Sequence, residues 1–392
     1  MLLGELAPDA QPRIKPVRRT GQASPTEREF FPSLQAVRAI AALFVVLFHA
    51  AEVAQDQLHF TLFGGAFSWG SCGVDLFFVL SGFVICHVHA ADVGRPERGR
   101  GYLLKRLIRV FPLYWLLLAG LVAATFAIPS LGSPADRGLG RIASSFALFP
   151  QRDLPILGVA WTLSHEVFFY ALFSLLIWRG GSGTRAVLTA ILAGSVLVCF
   201  LEPAVSMRPG PESTLPVAVS FCFSHFNLEF ALGTGVALLF RRWKKTAVSR
   251  SAIVPLLLSA AGIALFALRA SFPQTAHGAL PDPLFRVLTY GVGAALLIFA
   301  GLRLDAEKRG ARLFRLLAPI GDSSYALYLI HRPFLAALTL LLGHRLTGGS
   351  AQTAFYLALI FAVTAIAWVL HRAVERPMLK FLRDLLLPAR RS

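Results

Sequence analysis

Apolar residues in this chain gather into ten long blocks separated by shorter polar stretches. The blocks run over 34–53, 72–91, 107–128, 158–178, 184–201, 217–240, 252–270, 283–301, 319–343 and 352–372. A helix crosses the hydrocarbon core of a bilayer with about 20 apolar residues, and most blocks reach that length. The pattern predicts an all-α, polytopic membrane protein with ten transmembrane helices around a polar intramembrane cavity. Two blocks are weaker: 184–201 is short, and 283–301 carries Arg286 near its start. The first 30 residues are rich in Pro, Arg and Gln and contain no apolar core. They fit neither a signal peptide nor a span, so residues 1–32 are expected to form a disordered cytoplasmic arm. The membrane domain is expected over 33–378 and a short basic cytoplasmic tail over 379–392. Neither an internal repeat nor a second soluble domain is visible.

Loop charge gives the blocks an orientation, because Lys and Arg favour the cytoplasmic side. The N-terminal arm holds five such residues, 92–109 six, 241–251 five, 302–318 five and the tail from Arg372 six. The alternate loops are poor: 54–71 and 271–282 hold none, 202–216 and 344–351 one each, and the long loop 129–157 three. Ten crossings of the inner membrane with both termini in the cytoplasm satisfy this alternation. Composition agrees, since 56% hydrophobic and 15% charged residues exclude a soluble enzyme. The net charge of +17 then reads as a topology signal, and nucleic acid is not needed to explain it. Cys72, Cys86, Cys199 and Cys222 lie in or beside apolar blocks without metal or redox spacing, and are expected to be free thiols.

Against this apolar background the ionisable residues stand out. An ionised side chain in hydrocarbon costs at least ~2.5–3.5 kcal/mol and by default marks a functional site. Arg38 and His49 sit in LQAVRAIAALFVVLFHA, eleven residues apart, so they share a helix face roughly 16 Å apart along the axis. The plainer reading has Arg38 snorkelling to an interface and His49 as a buried polar residue. Asp75 lies just inside the outer end of the second block, where it could equally cap its helix. His165 and Glu166 lie in WTLSHEVFFYAL, about 12 Å in from the outer boundary. His225 and Glu229 occupy the outer half of the sixth block. Ser324, Tyr328 and His331 are spaced by four and three, a polar stripe on one helix face. Groups at these depths must face one another or a water-filled cavity. Other polar residues have structural readings: Asp322 as a helix N-cap, and His87 and His89 as interfacial residues. At the cytoplasmic edge Lys105, Arg106 and Arg109 are either ordinary flanking charge or a phosphate clamp, since Arg grips phosphate through a bidentate fork.

Together these motifs resemble the acyltransferase family 3 membrane proteins, which O-acylate bacterial envelope carbohydrates and related acceptors. The resemblance rests on five stretches in order: LQAVRAIAALFVVLFHA, SCGVDLFFVLSGFVI, RLIRVFPLYW, WTLSHEVFFYAL, and GDSSYALYLIHRPF with a closing VERP at Val374 to Pro377. It implies a ten-helix fold, His49 as the catalytic histidine, Arg38 as its support, and Arg106 and Arg109 as holders of the donor. The implied donor is acyl-CoA, usually acetyl-CoA, with no metal. Some members carry a soluble hydrolase-like domain after the last span. Ser392 follows the last block closely, so the expectation is that this domain is absent and that the membrane domain, or a separate periplasmic or glycan-assembly protein, completes the transfer.

Acyl transfer from a thioester to a hydroxyl requires a base, and histidine suits that role near neutral pH. Glu166 is the candidate to orient the imidazole, with Asp75, His165, Glu229, Tyr328 and His331 lining the substrate cavity. An acyl-histidine intermediate is an alternative route. The rival reading is a secondary transporter, but such proteins usually show repeats and interrupted half-helices in matching positions. The acceptor stays open among O-antigen, exopolysaccharide, peptidoglycan, a lipochitooligosaccharide and a glycosylated metabolite.

Overall fold

The computed structural model describes residues 30–128, 132–202, 215–245, 251, 253–272, 282–309 and 311–387. Its compact body starts at Phe31. Among the described residues there is no strand, and ten helices are long and apolar enough to cross a membrane. In chain order, span 1 is Pro32–Leu58, span 2 Ser68–Asp92, span 3 Pro96–Ala127, span 4 Gly158–Arg179 and span 5 Ser182–Leu201. Span 6 is Val217–Lys245, span 7 Ile253–Ala270, span 8 Asp282–Ala306, span 9 Ser324–Arg345 and span 10 Gly349–Leu386.

Three of the expectations shift. Most of the arm, residues 1–29, lies outside the described residues, but Pro32 already occupies the first helical turn of span 1, where its missing N–H costs nothing. The tail from residue 379 is still helical as far as Leu386, in an amphipathic continuation of span 10. The block 319–343 begins in a separate helix, Ala311–Asp322, so Asp322 closes that helix instead of capping span 9. Ser323 takes the N-cap position, and its hydroxyl turns back to the Pro319 carbonyl at 3.0 Å.

Helix-end contacts follow the alternation of the loops. At one end Ser33 donates to the Asp305 carboxylate (N 3.0 Å, Oγ 2.6 Å), Arg241 donates to the His87 carbonyl at 2.6 Å, and Arg109 pairs with Glu375. These contacts join the start of span 1 to the end of span 8, the end of span 6 to the end of span 2, and span 3 to span 10. This is the end rich in Lys and Arg, called here the basic end. Asp75 with Arg286 and Arg269 with Asp282 lie at the opposite end.

Spans 2 and 8 are central, with 72% and 61% of their apolar windows buried; spans 5, 7 and 10 are peripheral, with 11%, 17% and 22%. Leu256, Leu257, Ile263 and Phe361 on those outer spans point away from the protein, as lipid-facing residues do. Spans 2 and 6 make the closest crossing. A β-carbon on Gly82 would lie 2.1 Å from the Phe230 carbonyl oxygen, and one on Gly233 would lie 1.9 Å from that of Val79. Lipid supplies no hydrophobic drive between helices, so such close backbone contact is what holds the pair.

Candidate active site

Span 1 presents Arg38 and His49 on a face whose intervening residues, Ala42, Val45 and Val46, are buried. Spans 1 and 9 pack against each other, which brings the two polar positions of span 1 onto the polar stripe of span 9. Arg38 donates to the Ser324 hydroxyl from Nε at 3.1 Å and from Nη2 at 2.9 Å. Toward the opposite end, His49 Nδ1 lies 3.0 Å from the Val45 carbonyl oxygen and 3.0 Å from His331 Nε2. His331 Nδ1 lies 3.1 Å from the Leu327 carbonyl oxygen.

These contacts assign the protons. A carbonyl oxygen only accepts, so the nitrogen facing it carries hydrogen. His331 is therefore protonated on Nδ1, and its Nε2 accepts from His49 Nδ1–H, which is shared with Val45. Both rings are satisfied as neutral Nδ1–H tautomers. The lone pair of His49 is left on Nε2, the nitrogen that lies 3.7 Å from Glu52 Oε2.

Glu166 is expected beside His49, but the structure places it elsewhere. Thr162 meets the Tyr328 hydroxyl at 2.8 Å. Span 4 runs antiparallel to span 9, so Glu166 lies a turn closer to the basic end, while His331 lies a turn further from it. Among the described residues, the polar partners of His49 are Val45, His331 and Glu52. Glu166 instead accepts the Tyr170 hydroxyl proton on the wall of a cavity formed by spans 1, 2, 3, 4 and 9. That cavity has an empty volume of about 890 Å³ counting its mouth.

Arg38, Arg106, Arg109, Glu166, Ser324, Tyr325 and Tyr328 line this cavity with the apolar side chains of span 2. The two arginines of the Arg-x-x-Arg motif differ in their contacts. Arg109 is paired with Glu375, which is fully buried and also faces His371 Nδ1 at 2.8 Å. Glu375 comes from the closing VERP and is placed by a π-helical turn, His371–Glu375, which widens span 10 at that point. Arg106 has no carboxylate partner among the described residues and lies over the Tyr102 and Tyr170 rings at 5.9 and 5.7 Å. With Arg109 neutralised by Glu375, Arg38 and Arg106 still outnumber Glu166 on the wall, so the cavity favours an anion. Tyr328 closes it on the far side, its ring 5.8 Å from that of His331.

Four of the five expected cavity residues fall outside it: His331 lies beyond Tyr328 against His49, and Asp75, Glu229 and His165 lie elsewhere. Asp75 accepts from Arg286 Nε at 2.8 Å and Nη2 at 2.5 Å, and Arg286 Nη2 also reaches the Ser71 carbonyl. Glu229 is fully buried beside this pair. The cluster explains how Arg286 is tolerated in the weak eighth block: the residue that breaks its apolar pattern neutralises a carboxylate on span 2. His165 stacks on Phe221 at 4.3 Å and faces a second cavity. Of the residues not singled out from the sequence, Glu52 follows His49 by one turn, Glu375 lay inside a motif noted without a role, and Tyr170 lies one turn from Glu166. The four cysteines are free.

Residues 31–372 match the family model described as acyltransferase domain. The chain belongs to the acyltransferase family 3. It is thus a membrane enzyme that transfers acyl groups. The exopolysaccharide production protein ExoZ of Rhizobium meliloti is 30% identical, over 86% of this chain and 95% of its own length. The acyltransferase MdmB of Streptomyces mycarofaciens is 29% identical, over 90% and 92% respectively. No solved structure is significantly similar.

Proposed function

We propose that this acyltransferase takes an acetyl or similar short acyl group from acyl-CoA at the cytoplasmic side of the inner membrane and transfers it to a hydroxyl of an envelope or exported carbohydrate, with His49 as general base. The observation that carries this reading is the 3.0 Å contact between His49 Nδ1 and His331 Nε2. It holds the imidazole neutral with its basic nitrogen free, which is the state a proton acceptor needs.

The donor would enter from the basic end. Arg38 and Arg106 carry the uncompensated charge of the first cavity and suit the phosphates of CoA, while Arg109 is a weaker candidate because Glu375 already neutralises it. Arg38 and His49 are separated by three helical turns, roughly 16 Å, a span the extended pantetheine arm can cover to bring the thioester to the Tyr328 side of the histidine pair. In the transfer, His49 Nε2 takes the proton of the acceptor hydroxyl as its oxygen attacks the thioester carbonyl. The tetrahedral intermediate collapses with cleavage of the C–S bond, and the thiolate leaves and takes the proton back from Nε2. Protonated His49 is stabilised by Glu52, the carboxylate nearest Nε2. The resemblance to ExoZ supports a carbohydrate acceptor, since that protein is named for exopolysaccharide production.

The test is mass spectrometry of envelope and exported glycans from a deletion strain complemented with the wild-type chain or with His49→Ala. Loss of ester-linked acyl groups on deletion, restored by the wild type and not by His49→Ala, is the expected result. Restoration by His49→Ala at more than a tenth of the wild-type level would remove His49 from the base role.

A further inference from the structure

Acyl transfer needs more than a base. As the acceptor oxygen bonds to the thioester carbon, the carbonyl π electrons move onto the carbonyl oxygen. In a water-poor site that negative charge must meet a donor or cation already in place. The arginines of the first cavity are badly placed for this. Arg38, Arg106 and Arg109 stand toward the basic end, and Arg38 is three helical turns from His49.

Arg332 is better placed. It directly follows His331 on span 9 and is partly buried. Its depth follows from the contact of Tyr328 with the start of span 4, where the Tyr328 hydroxyl donates to the Val159 carbonyl at 3.1 Å. Residues 329–342 of span 9 run on past that level toward the outer end, for roughly 20 Å of helix. A β-carbon on Gly158, the residue before Val159, would lie 3.4 Å from Arg332 Nη1. The guanidinium therefore rests against the Gly158 backbone, one residue from the carbonyl that holds Tyr328. Its charge also acts on both His49 and His331. Among the described residues, no carboxylate or hydrogen-bond partner engages it. An arginine at this depth without a counter-charge is expensive and by default functional.

We infer that Arg332 binds the oxyanion of the tetrahedral intermediate. The inference rests on the acyl-CoA reading and adds the group which that intermediate requires. Tyr328 closes the first cavity on the far side, and its ring lies 5.8 Å from that of His331, which in turn meets His49. Tyr328, His49 and Arg332 thus converge on the end of the cavity that the thioester reaches. There the acceptor oxygen forms its bond to the carbonyl carbon while its proton passes to His49 Nε2. The displaced electron pair settles on the carbonyl oxygen, which accepts from the planar N–H fork of Arg332. The pair then returns to re-form the carbonyl, the C–S bond breaks, and the thiolate takes the proton from Nε2. Arg332 keeps its charge and exchanges no proton.

The experiment is steady-state kinetics of the purified full chain in nanodiscs, with acetyl-CoA as donor and glycan from a deletion strain as acceptor. Arg332→Gln should lower kcat by about 10²–10³, the loss expected on removing an oxyanion donor. Its Michaelis constants for acetyl-CoA and for glycan should stay within twofold of wild type, and unchanged acetyl-CoA affinity establishes that it is folded. A kcat within fivefold of wild type would overturn the inference. So would a raised Michaelis constant for glycan with kcat kept, since Arg332 would then hold an anionic acceptor instead. If Arg332→Gln fails to bind acetyl-CoA, Arg332→Lys decides: a kcat lowered about tenfold supports the oxyanion role, and an unchanged kcat overturns it. His49→Ala is run beside these variants. Wild-type kcat in His49→Ala, with the loss in Arg332→Gln intact, would reject the base and leave the oxyanion residue standing. No transfer from acetyl-CoA by the wild type would reject the donor reading and this inference with it.

Discussion

His49 can act as a base only if Nε2 is the nitrogen without hydrogen, and His331 is the residue that secures this. Replacing His331 with Phe keeps the ring volume but removes the acceptor, so His49 is free to exchange tautomers. Transfer by that variant should fall by about tenfold or more, while His49→Ala should lose the ~10²–10⁴ expected of a general base. Glu166→Gln should cost less than either, since Glu166 touches Tyr170 and not His49. Donor kinetics should separate the two arginines. Arg106→Ala is expected to raise the Michaelis constant for acyl-CoA with kcat little changed, and Lys should replace it poorly because a point charge lacks the bidentate fork. Arg109→Ala should instead lower the yield of folded protein, because it removes the arginine that neutralises the buried Glu375 carboxylate and leaves it facing His371; a purely kinetic effect there would contradict the assignment. Type and depth made Arg38, His49 and Tyr328 legible in the sequence. Partnership was not: depth puts Glu166 and His49 close together, but which side of Tyr328 each occupies depends on how spans 4 and 9 are set against each other.

The eighth block carries the clearest lesson at the level of elements. Its arginine weakens the apolar pattern from the sequence side, yet in three dimensions it makes the span necessary, because it neutralises Asp75 on span 2, with Glu229 of span 6 buried beside the pair. Breaking a buried ion pair by removing one partner costs about 3–5 kcal/mol. Arg286→Met should accordingly lower the thermal unfolding midpoint and the monodisperse fraction in detergent, and adding Asp75→Asn should recover part of the loss. No recovery in the double variant would mean that Arg286 matters through packing and not charge. The crossing of spans 2 and 6 is equally exacting. Gly233→Leu should prevent folding, because even a β-carbon there meets the Val79 carbonyl. Neither Gly82 nor Gly233 could be picked out beforehand, as many of the 32 glycines sit in apolar blocks and only the crossing singles out these two.

For the whole molecule, hydropathy and loop charge were enough to give ten spans, because hydrocarbon forces every backbone amide into a helix and makes long apolar runs unambiguous. Their arrangement was not legible: nothing in block order says that span 2 is central and span 5 peripheral. Orientation follows from the charge alternation and can be checked directly. Reporter fusions after residues 62, 210 and 277 should report the outer side, and a cytoplasmic signal at two of the three would reject it. The central claim is that a single imidazole, His49, serves as the base for acyl transfer between the two sides of the membrane. The most direct measurement uses proteoliposomes containing the full chain, labelled acetyl-CoA on one side and the strain's own deacylated glycan on the other. Label should appear in ester linkage on the glycan with the wild-type chain, and at no more than background with His49→Ala of equal folded content and equal acetyl-CoA affinity. Transfer by His49→Ala at the wild-type rate, under those same conditions, would contradict the account.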